Sequence, residues 1–392
     1  MRRPVLMRWQ ANNSFGWGIM GLNLFQYWAS DPDVQPLMGH TIGPRDVHCV
    51  DPLRLLALSP AAVASNAFVE EVATGQVDLR QRAVVVIEGL GNGLTLVMPH
   101  VAGIRNVGRC IFENTRIDGA AQRLEHYDSL ICGSHWSASL LRQASDKPVT
   151  VIHEGIDPGL FFPGPRSGAL NPGRFYVFSG GKIEFRKAHD LVLLAFRQFA
   201  ERHDDAVLVA AWSSPWPQMS AGFQGRLGAP LHSRDNGTLE IQRWVAENGI
   251  RPHQFIELPA TPNALMPLVL REMDCAVQVS RCEACTNLPA KEAMACGVPV
   301  ILADNTGAHD LVAADNCVAV RCQGPVAAPP GWATDGWGES RVDEIAAALE
   351  TLYTDTQTRK RVAARGAAWI LENHRTWGDH AVALKAHLLG LL

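Results

Sequence analysis

Apolar and polar positions along this chain fall into two alternating series. In the first, PVLMRW (4–9) is a short apolar run, a polar, glycine-bearing turn covers 12–21, and an amphipathic helix follows. AVVVIEG (83–89), VGRCIFEN (107–114) and SLICGS (129–134) repeat the strand pattern between helical stretches. Residues 40–82 hold DPLRLLALSPAAV and a helical VEEVATG without a settled layout. VTVIHEGIDPGLFFPG (149–164) runs from a strand into a proline- and glycine-rich stretch, the best linker candidate in the chain. The series then restarts. RFYVFSG (174–180), AVLVAAW (206–212) and QFIEL (254–258) read as strands, and His189 to about Arg202, LEIQRWVAENG (239–249) and NALMPLVLREM (263–273) as helices. Residues 213–237 form a polar insert, and helices cover 342–355 and 359–392. Short strands alternating with helices imply α/β domains with parallel sheets, and the restart implies two of them. Their expected bounds are 1–165, joined by a last helix at about 378–392, and 166–377.

Chemistry concentrates between Val277 and Val312. A strand ending near Ser280 leads to a polar loop with Glu283, Thr286 and Asn287. A small-residue helix from about Pro289 carries Glu292 and stops at Gly297. A second strand, VPVIL, then gives way to a loop with Thr306 and Gly307. This order places polar groups at the C-terminal edge of a parallel sheet, where open α/β folds bind ligands. The helix start offers unpaired backbone N–H groups to phosphate, and carboxylates suit sugar hydroxyls. The plainer alternative is that Glu283 and Glu292 are a capping and surface pair.

A second cluster is SGGKIEFRKAHDLVLLAF (179–196). Gly180 and Gly181 follow a strand directly and permit close approach of an anionic group. Lys182 and Lys187, five apart across a loop, are placed to neutralise a diphosphate and stabilise it as a leaving group, with Arg186 as a further cation. Solvated cations at a helix start are the alternative. In SFGWGIMG (14–21), Gly16 and Gly18 allow a similar approach or simply make a tight turn. Glu88 and Glu113 stand near strand ends, and Glu113 is the stronger candidate for touching substrate; His100, His135 and His153 are alternatives.

Composition narrows the class. The 392 residues exceed one ordinary core, and 47% hydrophobic with 19% charged residues describes a well-packed globule. A formal charge of -4 and the lack of basic runs give no electrostatic case for nucleic acid. No eighteen apolar residues run together, so a cytoplasmic enzyme is expected, with room for a peripheral membrane contact. Nine cysteines, many in apolar settings, suit buried thiols in a reducing compartment. Cys282 and Cys285 form a CxxC without a second pair or a histidine pair at ligand spacing, so no metal is expected.

The two clusters resemble the donor site of retaining glycosyltransferases of family 4 (glycosyl transferases group 1), which have the GT-B fold. Ser280, Glu283 and Glu292-Ala-Met-Ala-Cys-Gly-Val-Pro-Val-Ile stand in the family's places. One extra residue separates the two glutamates, as in variants carrying Thr-Asn-Leu; a strict register would put Ala284 in the first position. Lys182 stands where the family has arginine, which keeps the charge but loses the bidentate fork. Gly155, Ile156, Asp157, Phe161 or Phe162, and Pro163 resemble the family's interdomain segment, Asp310 replaces a usual glutamate, and Trp377 opens a helix like the family's last.

The resemblance implies two Rossmann-like domains with parallel sheets facing an interdomain cleft. It implies a metal-independent, retaining hexosyltransferase taking a nucleotide-diphosphate sugar. Lys182 and Lys187 would take the diphosphate, with Gly16, Gly18, Gly181 and Arg186 near it. Glu292 would take the ribose, and Glu283, Thr286, Asn287 and Leu288 the sugar, with Thr306 and Gly307 close by. The acceptor (saccharide, lipid, protein or small molecule) and the oligomeric state are not implied. Two alternatives are a GT-B sugar-nucleotide epimerase and a catalytically degenerate partner subunit. A dehydrogenase fits less well, because no strand leads into a full GxGxxG with its distal acid.

Overall fold

The computed structural model describes residues 2–214, 216–223 and 227–392. The chain divides into two compact units: 1–157 with 262–264 and 374–392, and 158–261 with 265–373.

In the first unit, β1 (Arg3–Arg8), α1 (Gly16–Ala29), β2 (Val34–Met38), α2 (Pro52–Ala73), β3 (Val85–Leu90), β4 (Arg105–Cys110), α3 (Ala120–Leu124), β5 (Ser129–Cys132), α4 (His135–Ala144) and β6 (Val149–Val151) follow in turn. The strands form one parallel sheet in the order β2-β1-β3-β4-β5-β6. All six residues of β3 are buried, the continuous apolar run expected of a strand covered on both faces. β2, where the sequence reading placed no strand, contains Pro36; its edge position tolerates a residue without an N–H. β4 ends at Cys110, four residues earlier than the apolar run VGRCIFEN suggests, so Phe112 and Glu113 belong to the following loop. The last helix of the chain, Trp377–Leu389, packs here: Trp28 Nε1 donates to Ala381 O at 3.2 Å, and Gly155 lies where a Cβ would come within 2.1 Å of Thr376 C.

The second unit contains β7 (Phe175–Gly181), α5 (His189–Ala200), β8 (Ala206–Trp212), α6 (Ile241–Glu247), β9 (Phe255–Glu257), α7 (Met266–Leu270), β10 (Cys275–Gln278), α8 (Leu288–Ala295), β11 (Val300–Ala303), β12 (Val318–Val320), α9 (Val342–Thr354) and α10 (Thr356–Glu372). Its parallel sheet runs β12-β11-β10-β7-β8-β9. Part of the 213–237 insert forms a 3-10 helix at Pro217–Phe223, and positions 215 and 224–226 lie outside the described residues. The helix expected over 359–392 is two helices. Thr376 interrupts it as an N-cap, exchanging hydrogen bonds with Asp379.

The chain leaves β7 towards β8 on one side and returns through β10 on the other. The loops after β7 and β10 therefore flank the point where strand order reverses, the usual ligand position in such sheets. β1 and β3 occupy the corresponding position in the first unit.

Candidate functional site

Both sequence clusters meet at the switch point of the second unit. β7 ends at Gly181, whose φ of +123° few L side chains adopt. A single 3-10 turn, Phe185–Lys187, then leads into α5 through Ala188, held in the left-handed region at φ +57°. The loop after β10 lies against this turn: the amide of Arg281 donates to Arg186 O at 2.7 Å. Its neighbour Asn287 caps α8, accepting from the Ala290 amide at 3.0 Å.

The charged side chains form a ladder. Lys182 Nζ stands 2.7 Å from Glu184, and Arg186 Nε 2.8 Å from the other oxygen of Glu184. Arg186 NH1 reaches Glu283 at 3.2 Å, and Lys187 Nζ reaches both Glu283 oxygens at 2.7 and 3.0 Å. Ser280 Oγ at 2.6 Å and Asn287 Nδ2 at 2.8 Å also donate to Glu283. Five hydrogen bonds thus converge on one buried carboxylate, and its lone pairs are taken up by the protein. This differs from the expectation that Glu283 faces sugar hydroxyls.

Burial alone would raise the pKa values of the two acids. The cations reverse that effect: Lys187 and Arg186 hold Glu283 below the usual carboxylate range, and Arg186 with Lys182 hold Glu184 down to about 2. Lys187 is pushed down by burial, against the pull of Glu283. The two carboxylates are therefore ionised at neutral pH. Lys182 is its outermost cation, one-third exposed and 4.9 Å over the ring of Trp216.

A second ion-pair set braces the ladder from below. The fully buried guanidinium of Arg281 binds both oxygens of Asp190 at 2.9 and 2.7 Å, Phe185 O at 2.8 Å and Glu339 at 2.8 Å. Asn305 Nδ2 donates to Ser280 O at 3.1 Å. Glu184, Arg281 and Asn305 were not among the residues singled out from sequence. A signal for Glu184 exists in the alternating charges Lys182-x-Glu184-x-Arg186 just after the β7 glycines.

The remaining expected donor residues surround this centre. Thr306, at φ +41°, accepts the Glu283 amide on its hydroxyl at 2.9 Å. Gly307 admits no side chain: a Cβ there would lie 2.1 Å from Cys285 O and 2.6 Å from Glu283 O. Thr286 is buried, and its hydroxyl has no hydrogen-bond partner among the described residues, although it immediately precedes the cap of α8. A buried hydroxyl without a partner beside a helix N-terminus fits an anionic ligand. Leu288 opens α8, and Glu292 is buried one turn further on. Cys282 and Cys285 are buried free thiols.

In the first unit, Asn12 N donates to Gly18 O at 3.0 Å, and a Cβ on Gly18 would sit 2.1 Å from Asn12 Oδ1. Gly16, the first residue of α1, has nothing within 4 Å of where a Cβ would be. The amides of Glu113 and Asn114 share Asn92 Oδ1 at 2.8 and 3.1 Å, which fixes this loop. Glu88 is not an open edge carboxylate. It is 1% exposed, and Tyr127 OH, His100 Nδ1 and Val101 N lie 2.7, 2.9 and 3.0 Å from its oxygens. His135 opens α4, as a helix start predicts.

Comparison with known proteins agrees with this architecture. The family model "Glycosyl transferases group 1" matches residues 165–369, more than half of the chain. Among curated relatives, a D-inositol 3-phosphate glycosyltransferase of Segniliparus rotundus is 26% identical over 249 residues, covering 60% of this chain and 48% of the relative. The same-named protein of Mycolicibacterium vanbaalenii is 29% identical over 264 residues, covering 65% and 52%. The chain spans about half the length of these relatives. Among solved structures, sucrose-phosphate synthase from Thermosynechococcus elongatus superposes with a TM-score of 0.68 at 16% identity, covering 100% of this chain and 99% of that one. Anabaena HepE, solved with UDP and glucose, gives 0.64 at 15% identity over 100% of both. The fold is that of the GT-B glycosyltransferases, and the chain belongs to the group 1 glycosyl transferases.

Proposed function

We propose that the protein transfers a sugar from a nucleotide-diphosphate donor to a hydroxyl acceptor with retention of configuration, and without a metal. The buried Lys187–Glu283 pair at the sheet switch point carries this reading. It holds an ammonium in place beside the start of α8, where Thr286 presents a hydroxyl without a partner. The donor's diphosphate is assigned to Lys187, Lys182, Arg186, the Thr286 hydroxyl and the first amides of α8, and its ribose to Glu292. Glu283 positions Lys187 rather than meeting the sugar. As the bond from the anomeric carbon to the diphosphate oxygen breaks, the lysines stabilise the departing charge. The acceptor oxygen bonds to the same face, and its proton passes to the leaving phosphate oxygen. Glu113 is assigned to the acceptor, and Gly16 and Gly18 to close approach of the transferred sugar or phosphate. That the HepE structure holds UDP and glucose supports a UDP-sugar as the first donor to try.

The test is turnover. Incubation with UDP-, GDP-, ADP- and TDP-sugars and a mixed panel of hydroxyl acceptors should release nucleoside diphosphate and give an α-linked product from an α-linked donor. An inverted product would contradict the mechanism, and a donor converted without any acceptor would point to epimerisation.

A further inference from the structure

Helix α2 is apolar on two faces. Its inner face packs through Leu58 and Phe68, and is pinned by hydrogen bonds: Ser65 Oγ accepts from Met38 N at 2.9 Å, and Asn66 bonds both backbone groups of Ile42 at 2.8 and 3.0 Å. On its outer face Leu53, Leu56 and Val63 are 76%, 71% and 69% exposed, with Ala57, Pro60, Ala64 and Ala67 exposed between and beyond them. These seven positions recur at steps of three and four, which makes them one continuous stripe. No charged residue occurs from Leu55 to Val69. Solvated helix faces are ordinarily rich in charge, and a contiguous exposed apolar patch marks an interaction surface.

The stripe opens onto a cavity of about 130 Å³. Leu37, Ala64, Ala67 and Phe68 give it apolar walls, and the Arg82–Glu71 ion pair, at 3.3 Å, stands at its polar end. Among the described residues α2 is the one helix long and apolar enough to cross a membrane. Crossing would break the hydrogen bonds of Ser65 and Asn66, so the helix is suited to lie on a bilayer rather than span it. A second copy of the chain is a poorer occupant. A stripe on the order of 500 Å² falls short of the roughly 800 Å² per partner that a stable protein interface buries. Nor is the site built for a strongly charged partner, since Arg80 and Arg82 at the C-terminal end are offset by Glu70, Glu71 and Asp78.

We propose that the outer face of α2 docks the protein on a lipid surface, with the apolar stripe among the acyl chains and the side cavity open to one of them. Hydrophobic burial, not headgroup charge, drives the contact. The proposal stands independently of the donor-site assignment.

Flotation of the full chain with phosphatidylcholine vesicles tests it, alongside the triple variant Leu53→Gln/Leu56→Gln/Val63→Gln. These side chains are exposed, so the variant should keep the wild-type Tm, and a circular-dichroism melt checks that it does. The wild type should float with neutral vesicles equally at low salt and at 0.5 M NaCl. The triple variant should lose at least about tenfold in partition. Three results would overturn the proposal: a wild type that stays at the bottom of the gradient, binding only to phosphatidylglycerol vesicles that salt abolishes, or a stripe-dependent dimer formed without lipid.

Discussion

Lys187 and Glu283, 96 positions apart in sequence, meet through two contacts of 2.7 and 3.0 Å in the interior of the second unit. Each fixes the other. The pair ties the loop after β7 to the loop after β10, and so builds one site from two segments that local sequence pattern cannot connect.

Removing one partner strands the other. Glu283→Gln leaves Lys187 and Arg186 without their shared counter-ion, and Lys187→Met leaves the buried carboxylate with Arg186 as its one cationic partner. Each single variant should lose about 3–5 kcal/mol of stability. The double variant should lose clearly less than the sum, with a coupling energy of about 1–3 kcal/mol. Urea denaturation of the four proteins measures this. Strict additivity would mean that the two side chains do not depend on one another.

Three glycines separate packing from ligand access. Gly307→Ala places a methyl 2.1 Å from Cys285 O, and Gly18→Ala places one equally near Asn12 Oδ1. Gly307→Ala should cost about 1–3 kcal/mol or more because backbone must shift, and Gly18→Ala should cost less because only the Asn12 side chain must turn away. Gly16→Ala meets open space in the first turn of a helix, where alanine is favoured over glycine by up to about 1 kcal/mol. Its Tm should hold or rise. A fall in kcat/KM in that stable variant would locate substrate at α1, and unchanged kinetics would remove Gly16 from the site.

His189 supplies a pH dependence of stability. It packs edge-on against Trp212, with ring centroids 5.0 Å apart, its Nδ1 has no partner among the described residues, and burial, reinforced by Lys187, holds its pKa down to about 3. In the unfolded chain the group titrates near 6.5. Above that pH it is neutral in both states and contributes nothing. Below it the unfolded state alone binds the proton, so stability falls by up to about 1.4 kcal/mol per pH unit until about pH 3. Glu184 adds the ordinary acid loss lower down: its contribution is full above about 4.3 and disappears towards about 2. His189→Phe should therefore flatten the wild-type decline between pH 6.5 and 4.5. Parallel curves for the two proteins would show that His189 is protonated in the fold.

Much of this was readable from the chain. The strand runs AVVVIEG and AVLVAAW emerge as β3 and β8 because continuous apolar segments bounded by polar turns have few other outcomes. The loop–helix–strand order from Ser280 to Gly307 is visible because Asn287, Pro289 and Gly297 punctuate it. What escaped did so for physical reasons. β2 is short and carries a proline that only its edge position excuses. α2 hides its boundaries because it is apolar on two opposite faces and contains Pro60, which blurs the single-face period a helix usually shows. Glu113 looked like a strand end because the apolar run outlasts the sheet. The cationic partners of Glu283 come from a loop nearly a hundred residues away, and Arg281 reads as a surface arginine until the fold encloses it.

The most direct test of the account is thermal shift of the full chain with UDP-, GDP-, ADP- and TDP-sugars, measured for the wild type, Lys187→Ala and Arg54→Ala. Arg54 pairs with Asp157 in the first unit and serves as a destabilised control that is not part of the donor loops. The account predicts a Tm rise with one nucleotide class in the wild type and the Arg54 variant, growing with ligand concentration as binding linkage requires, and abolished in Lys187→Ala. An equal rise in Lys187→Ala would contradict the assignment of the diphosphate to the Lys187–Glu283 site.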